Sequence, residues 1–378
     1  MNLKILIDGR SLLSPLTGIG RYTHEISQKL VNLEPHWDYR YYYGYISDQL
    51  VTSLEEIKHY DRLKKTKVIL KKIPYLKKIV RRGMDWSRSM TARSYDLHWQ
   101  PNFIPLSGIK AGTIVSSVHD FSWIHQEAWH PKERIEYFQA NFWKEIPNSH
   151  RIITGSEYTK KEIVHFLNYD PDKIDVIYHG VDHKLFRVLD QNISTTLSLP
   201  KKFILAVGSM EPRKNLMTLL QAYTLLHEDL KREFKLVLIG FKGWNNQEIM
   251  HLIDLNKEHI IYLGYVSDEE LALAYNRATL FVYPSLYEGF GIPPLEAMAC
   301  GTAVIASYAS SLPEVCGDAA VYIDPSSVEE LCKSIQSLLE DNVRCAKLID
   351  LGLKRAQLFS WEKSTQAHHT SFLKALSR

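Results

Sequence analysis

What the sequence lacks narrows the field first. No apolar run approaches the roughly 18 to 20 residues needed to span a bilayer. The opening Met1-Asn2-Leu3-Lys4-Ile5-Leu6-Ile7-Asp8 is too short and too soon charged for a signal peptide, and reads as a buried first strand. Cysteine is scarce: Cys300, Cys316, Cys332 and Cys345 all fall late in the chain, with no close pair at metal-ligand spacing. That pattern suits reduced thiols in a cytoplasmic protein and argues against a disulfide framework. Strong charge of either sign is also missing, and a net charge of +3 gives no electrostatic case for nucleic acid. No internal repeat of fixed period is visible.

What is there is a chain of 378 residues, 45% hydrophobic and 24% charged, the composition of a soluble globular protein. That length exceeds one comfortable core, so two domains of roughly 180 residues are expected. Short β-rich runs alternate with helical patterns, the signature of parallel sheets covered by helices. In the first half, strands are predicted at 4–7, 39–43, 97–100, 113–119, 152–155 and 174–178, with helices at 21–33 and 132–145. A second series runs 203–208, 234–240, 260–266, 280–284, 303–307 and 319–323. Between the series, 182–200 is polar and ends in Pro200, which reads as the interdomain linker. The expected division is 1–182 and 183–360, with a last helix at 361–378 that has no strand after it and can pack on either domain.

The stretch 62–82 contains no acidic residue and interleaves basic pairs with Leu, Ile, Val and Tyr. Lys71, Lys72, Lys77, Lys78, Arg81 and Arg82 suit an interfacial element on anionic lipid. A solvated basic face, or a surface meeting a polyanionic substrate, explains the same composition, and Pro74 interrupts any single helix.

The most specific signal is 287–302, Tyr-Glu-Gly-Phe-Gly-Ile-Pro-Pro-Leu-Glu-Ala-Met-Ala-Cys-Gly-Thr, directly after an apolar strand. Gly289 and Gly291 allow a tight loop with exposed amides. Pro293 and Pro294 open a helix that Gly301 closes. Glu288 then lies on the loop and Glu296 near the helix start, at the carboxyl end of a parallel strand, where doubly wound sheets bind ligands. Two carboxylates there can accept hydrogen bonds from sugar hydroxyls; complementing the helix dipole would account for Glu296 alone. The second signal is 208–216, Gly-Ser-Met-Glu-Pro-Arg-Lys-Asn-Leu, also after a strand, with Asn215 expected to cap the following helix. Arg213 and Lys214 would sit at the positive end of that helix, an arrangement that makes sense around a bound anion such as a diphosphate.

Three features say less. Thr17-Gly18-Ile19-Gly20-Arg21 is a glycine loop before the first helix, but Thr23 stands where a dinucleotide fingerprint wants a third glycine, which disfavours NAD. A glycine loop approaching a phosphate from the opposite domain is compatible with it. His119 ends a strand ahead of Phe121 and Trp123, a position as consistent with a structural role as with a functional one. Asp170-Pro171-Asp172 precedes a strand, so it reads as a turn and not as a metal-binding pair. With Arg213 and Lys214 available to neutralise phosphate, no metal or other cofactor is expected.

At these residues the sequence resembles the family-4 retaining glycosyltransferases, which have the α/β GT-B architecture of two Rossmann-like, doubly wound domains facing across a cleft. The likeness spans nearly the whole chain and is strongest from Phe203 to Pro325, where the Glu-x7-Glu loop and the Glu-Pro-Arg-Lys-Asn run both match. It implies that Glu296 holds the ribose, while Glu288 and the amides around Phe290, Gly291 and Ile292 meet the sugar and diphosphate. It further implies that Arg213 and Lys214 bind the phosphates and stabilise the leaving group, with Ser209 alongside. Gly18 would offer its amide to the distal phosphate, His119 would face the transferred sugar, and Tyr265 and Val266 would neighbour the base. Segments 156–158 and 179–182 resemble family connections near the cleft, and Phe359-Ser360-Trp361 resembles the crossover that returns the terminal helix to the N-terminal domain. Thr17, Ala303 and Tyr178-His179 depart from the usual residues; none removes a donor-binding group.

Members beginning as this chain does resemble bacterial mannosyltransferases of surface-polysaccharide (O-antigen-like) assembly. The expected donor is therefore GDP-mannose, with UDP-sugars as the alternative, and the expected acceptor a lipid-linked saccharide at the inner face of the cytoplasmic membrane. Other polysaccharide-assembly enzymes are candidate partners. A hydrolysing nucleotide-sugar epimerase, a glycan phosphorylase and a non-catalytic sugar-binding scaffold compete; the Glu-x7-Glu loop, the absence of context for a pyridoxal phosphate lysine, and the full set of charged residues argue against them in turn.

Overall fold

The computed structural model describes residues 2–13, 18–51, 94–190, 197–244 and 246–377. The basic stretch 62–82, Thr17 and part of the proposed linker lie outside the described residues. Two sheets organise the rest. The first has the order β3-β2-β1-β4-β5-β6-β7, formed by Ile46–Ser47, Asp38–Tyr42, Lys4–Asp8, Tyr95–Gln100, Ala111–Ser117, Arg151–Thr154 and Ile174–Val176. Its strands pair in parallel, for example Ile5 opposite both Tyr39 and Leu97, except for the short antiparallel β2–β3 hairpin. The second sheet has the order β10-β9-β8-β11-β12-β13. It comprises Ile260–Gly264, Lys235–Ile239, Phe203–Val207, Leu280–Tyr283, Ala303–Ser307 and Ala320–Ile323, all parallel.

The central strands are apolar on both faces because helices cover both. In the second domain Leu205, Phe281 and Val304 belong to one buried cluster, whereas Ile204, Leu280 and Ile305 belong to the cluster on the opposite face. The alternation of a strand's side chains thus feeds two separate cores. In both sheets chain order reverses beside the first strand of the domain, between β1 and β4 and between β8 and β11. Those reversals open the crevices where loops from adjacent strand ends diverge.

The two domains are joined twice. Val181 and Ser360 form an isolated parallel bridge where the chain crosses in each direction. A Cβ on Gly180 would lie 2.1 Å from the Trp361 backbone nitrogen, so only glycine permits this approach. Beyond it, the Trp361–Leu376 helix returns to the first domain, where Trp361, Phe372 and Ala375 join the core with Ile5, Tyr22 and Trp99. A chain of hydrogen bonds fixes it: Trp99 Nε1 donates to Ser117 Oγ at 3.1 Å, and Tyr22 OH lies 2.8 Å from Ser117 Oγ and 2.6 Å from His368 Nε2. The segment after Val181 is more than a tether. Phe186 is fully buried in the second domain's core, and Asn276 holds the Arg187 carbonyl and the Leu189 amide at 2.9 and 2.8 Å. Among the described residues no helix is long and apolar enough to cross a membrane.

Candidate functional site

The charged residues gather at the β8/β11 reversal. After β8, Gly208 turns the chain at a φ of 152°, and Pro212 starts a short 3-10 turn, Pro212–Lys214. Asn215 follows in the left-handed region at φ 56° and precedes the helix Leu216–Thr224. Its side chain makes no cap, contrary to the reading of the sequence. The amide instead donates to the carbonyls of Pro284, at 3.0 Å, and Pro325, at 2.7 Å, tying the loop to the ends of β11 and β13. The Arg213 carbonyl accepts from the Leu286 amide at 2.9 Å, so the loops after β8 and β11 are one unit.

Arg213 and Lys214 consequently point away from their helix and into that unit, where they are paired with carboxylates. Arg213 Nη1 donates to Glu288 Oε2 at 2.7 Å and to the Tyr287 carbonyl at 2.8 Å, while Nη2 donates to Glu211 Oε1 at 2.9 Å. Lys214 Nζ donates to Glu288 Oε1 and to Tyr283 OH, both at 2.7 Å. Tyr283 OH completes the triangle, 3.0 Å from Glu288 Oε1. Burial alone would raise the Glu288 carboxyl, but Arg213 and Lys214 overcome that and bring it down to about 2. The same burial lowers the Lys214 ammonium, against the pull of Glu288. The result is an ionised knot in which the half-buried Arg213 and Lys214 share the buried Glu288, with Glu211 a second carboxylate on Arg213.

The loop carrying Glu288 is braced from below: its amide donates to Ser310 Oγ at 2.7 Å, and Ser311 Oγ donates to the carbonyls of Glu288 and Phe290 at 2.8 and 2.9 Å. Gly291, at φ 104°, leads into the helix Ile292–Ala299. Pro293 and Pro294 lack N–H groups, so of the first-turn amides those of Gly291 and Ile292 are the donors at this helix start. Phe290 differs in kind: its side chain is buried against His179 and Phe359 with ring centroids 4.8 and 5.8 Å apart, so only its backbone can serve a ligand. Glu296 lies one turn into the helix, also buried. Its Oε2 accepts from Tyr275 OH at 3.1 Å and its Oε1 from Arg21 Nη1 at 3.2 Å. Burial raises its pKa, with Arg21 and Tyr275 only partly offsetting the effect.

The first domain supplies the opposite wall. Gly18 begins the helix Gly18–Leu33, exposed, with nothing within 4 Å of where a Cβ would be. His119 follows β5; its Nε2 lies 2.6 Å from the Pro101 carbonyl and therefore carries the proton, which leaves Nδ1 as an acceptor. Burial lowers its pKa, so the ring is neutral. Across the cleft, a Cβ on Gly289 would come within 1.8 Å of the His119 carbonyl oxygen. Ser156, which caps the Glu157–Leu167 helix, donates to the Gly289 carbonyl at 2.7 Å, and Thr159 adds a second bond at 3.3 Å. Tyr287 OH accepts from the Phe121 amide at 2.9 Å and donates to Glu162. The donor-side loop is thus held by both domains.

At the far end of the β8–β10 edge, Tyr265 is exposed and stacks on Phe241, with centroids 4.5 Å apart and planes 18° off parallel, whereas Val266 is buried. Ser209 lies on the loop after β8 and is half-buried. Sequence reading missed Arg21, Tyr275, Tyr283, Glu211 and Asp120. Glu211 and Arg21 lie inside runs that the sequence singles out and Asp120 beside His119, whereas Tyr275 and Tyr283 have no local signal. Asp120 is half-buried and its pKa is depressed: desolvation is outweighed by Arg213 and by two bonds from Ser122. Asp170 caps a 3-10 turn through the Asp172 amide at 3.0 Å, the turn that the sequence predicts there. Lys71, Lys72, Lys77, Lys78, Arg81 and Arg82 lie outside the described residues.

Residues 16–185 match the family described as Glycosyltransferase Family 4, and residues 190–355 match Glycosyl transferases group 1. The chain is 32% identical over 382 residues to the O-antigen chain mannosyltransferase B of Escherichia coli, a likeness covering 96% of this chain and 97% of that one. It is also 32% identical over 250 residues to the serotype-specific mannosyltransferase WbdA of Escherichia coli, covering 63% of this chain and 30% of WbdA. Among solved structures, sucrose-phosphate synthase from Thermosynechococcus elongatus superposes with a TM-score of 0.72 at 19% identity, over 99% of both chains. That last likeness shows the fold alone. The sequence likeness along nearly the whole chain, and the matches in both halves, show that this chain is a hexosyltransferase belonging to the family-4 glycosyltransferases, built on the GT-B fold.

Proposed function

We propose that the chain transfers mannose from GDP-mannose, with retention at the anomeric carbon, to a lipid-linked saccharide during surface-polysaccharide assembly. The observation that carries the reading is the knot of Arg213, Lys214 and Glu288 at the strand-order reversal, on a loop whose Gly289 meets His119 of the first domain. The mannosyl choice is supported by the likeness along nearly the whole chain to the O-antigen chain mannosyltransferase B of Escherichia coli. Glu296 receives the ribose hydroxyls. The base lies toward Tyr265 and Val266, and Ser209 with the amides of Gly291 and Ile292 meets the diphosphate. No metal ion is needed, because Arg213 and Lys214 supply the positive charge. The enzyme works at the inner face of the cytoplasmic membrane, with the 62–82 segment toward anionic lipid and other polysaccharide-assembly enzymes nearby.

In this mechanism Arg213 and Lys214 offset the charge that develops on the departing diphosphate, the electrostatic term that usually dominates such catalysis. The acceptor hydroxyl attacks from the leaving-group face, and its proton passes to the departing phosphate. His119 Nδ1 accepts from a hydroxyl of the transferred sugar. A double displacement through Glu288 is disfavoured: its oxygens are engaged by Arg213, Lys214 and Tyr283, and a carboxyl held near 2 is a weak nucleophile. Isolation of a trapped glycosyl-enzyme would refute the same-face route.

The test is thermal stabilisation across nucleotides and nucleotide sugars with EDTA present. Selective stabilisation by GDP and GDP-mannose is expected. A preference for UDP species overturns the donor but keeps the mechanism, and a metal requirement overturns the charge argument. No response to any nucleotide would favour a scaffold role.

A further inference from the structure

One contact crosses the cleft at the nucleoside end. Arg21, on the Gly18–Leu33 helix of the first domain, reaches two carboxylates of the second. Its Nη1 is 3.2 Å from Glu296 Oε1 and its Nη2 is 2.5 Å from Asp268 Oδ1. The guanidinium sits 5.8 Å over the centroid of Phe186, which is fully buried, and its pKa is raised: desolvation opposes this, but Glu296 and Asp268 outweigh it. Asp268 opens the helix Asp268–Arg277, two residues after Val266, and Tyr275 of that helix holds the other Glu296 oxygen. An ionised carboxylate has about four acceptor positions, so Glu296 keeps roughly two after Arg21 and Tyr275 are served. That is the number a ribose diol uses.

We propose that Arg21 is a positioning residue for the donor: by bridging Glu296 and Asp268 it orients the carboxylate that receives the ribose, and makes that orientation depend on the cleft being closed. The inference rests on the donor-site reading above. A guanidinium suits the task because its planar fork engages two separate carboxylates at once, which a lysine ammonium does less well. The groups facing Glu296 are Arg21 from the first domain, Tyr275 and Asp268 from the neighbouring helix, and Cys300 from its own. Arg21 is the cation among them. Without it, burial and Asp268 push the Glu296 carboxyl further up, and nucleotide affinity falls away at a higher pH.

The experiment is calorimetric titration of the full chain with GDP and with UDP between pH 5.5 and 8.5, for wild type, Arg21→Gln and Arg21→Lys. The expected result is a Kd raised about tenfold in Arg21→Gln at neutral pH, widening as pH falls, with partial recovery in Arg21→Lys. A purely structural tie would lower the melting temperature and leave both Kd and its pH profile unchanged, and that outcome overturns the proposal. If wild type binds neither nucleotide, the donor-site reading itself has failed and this inference falls with it; wild-type binding with an unaltered Arg21→Gln refutes the inference alone.

Discussion

Replacing Gly289 by alanine tests whether the two domains must meet at one defined distance. The added Cβ would lie 1.8 Å from the His119 carbonyl oxygen and 3.0 Å from the Asp120 Cβ, both across the cleft. Restoring a 3.4 Å contact with the carbonyl requires the walls to part by about 1.6 Å. The glycine is not in the left-handed region, so backbone strain plays no part and the effect is the approach itself. Parting also stretches the bonds from Ser156 and Thr159 to the Gly289 carbonyl, together a loss of about 1 to 3 kcal/mol. A displacement of about 1 Å at a reacting centre can cost roughly 10²-fold in rate. The expected outcome is therefore a fall in kcat/KM of about two orders of magnitude, with a melting temperature lowered by only a few degrees. Steady-state turnover of the donor, beside a thermal melt of the same preparation, reads both. Retention of half the wild-type kcat/KM would refute the claim that this contact sets the working geometry.

Glu288→Gln should cost about 1 to 3 kcal/mol, since it removes the carboxylate that the half-buried Arg213 and Lys214 share, while Arg213 keeps Glu211. It should also remove part of the acid limb of stability. The wild-type carboxyl, held near 2 against an ordinary 4.5, contributes stability above pH 4.5 that is lost as pH falls toward 2; parallel melting curves for variant and wild type below pH 4.5 would contradict this. Lys214→Met should lower kcat/KM by about 10² to 10³, and an unchanged rate would remove Lys214 from leaving-group stabilisation. Ser156→Ala should cost about 1 kcal/mol for the lost helix cap, with a smaller loss of activity than Gly289→Ala; a larger one would mean that Ser156 has a role beyond bracing the loop.

The sheets were legible because parallel strands covered on both faces leave uninterrupted apolar runs, such as Phe203–Val207 and Leu280–Tyr283, bounded by polar loops. The edge strand Ile46–Ser47 was not: two residues, pairing on one side and half exposed, leave no pattern. The helix 132–145 was read to the residue, whereas the first begins at Gly18, three residues before Arg21, because its glycine-rich entry hides the start. In the site, Glu288, Arg213 and Lys214 could be found because each follows a strand directly. Their pairing with one another could not, since it depends on neighbouring strands of the sheet being far apart in sequence. The same limit hid Arg21, which is 275 positions from Glu296, and Ser156, which is 133 from Gly289. Asn215 misled for a different reason. The capping rule assumes an extended residue, and this one turns left-handed so that its amide can reach Pro284 and Pro325.

The pairing of Arg213 and Lys214 with Glu288 changes what the two cations can contribute. A free guanidinium and ammonium in a dry crevice would bind the diphosphate of substrate and product alike, and uniform binding of that kind does not accelerate the chemical step. Here Glu288 and Glu211 already neutralise much of the positive charge before any ligand arrives. Asp120 adds a further ionised carboxylate opposite Arg213. The ground-state diphosphate must share the cations with these groups. As the glycosidic bond breaks, negative charge on the leaving phosphate rises, and its share of the hydrogen bonds rises with it. The stabilisation is therefore weighted toward the transition state. On this argument Glu288 does more than hold the sugar, and replacing it by glutamine should tighten the binding of nucleoside diphosphate product while slowing turnover. Calorimetric titration of Glu288→Gln with the nucleoside diphosphate decides the point: binding equal to or weaker than that of wild type would refute the competition between Glu288 and the diphosphate for the two cations.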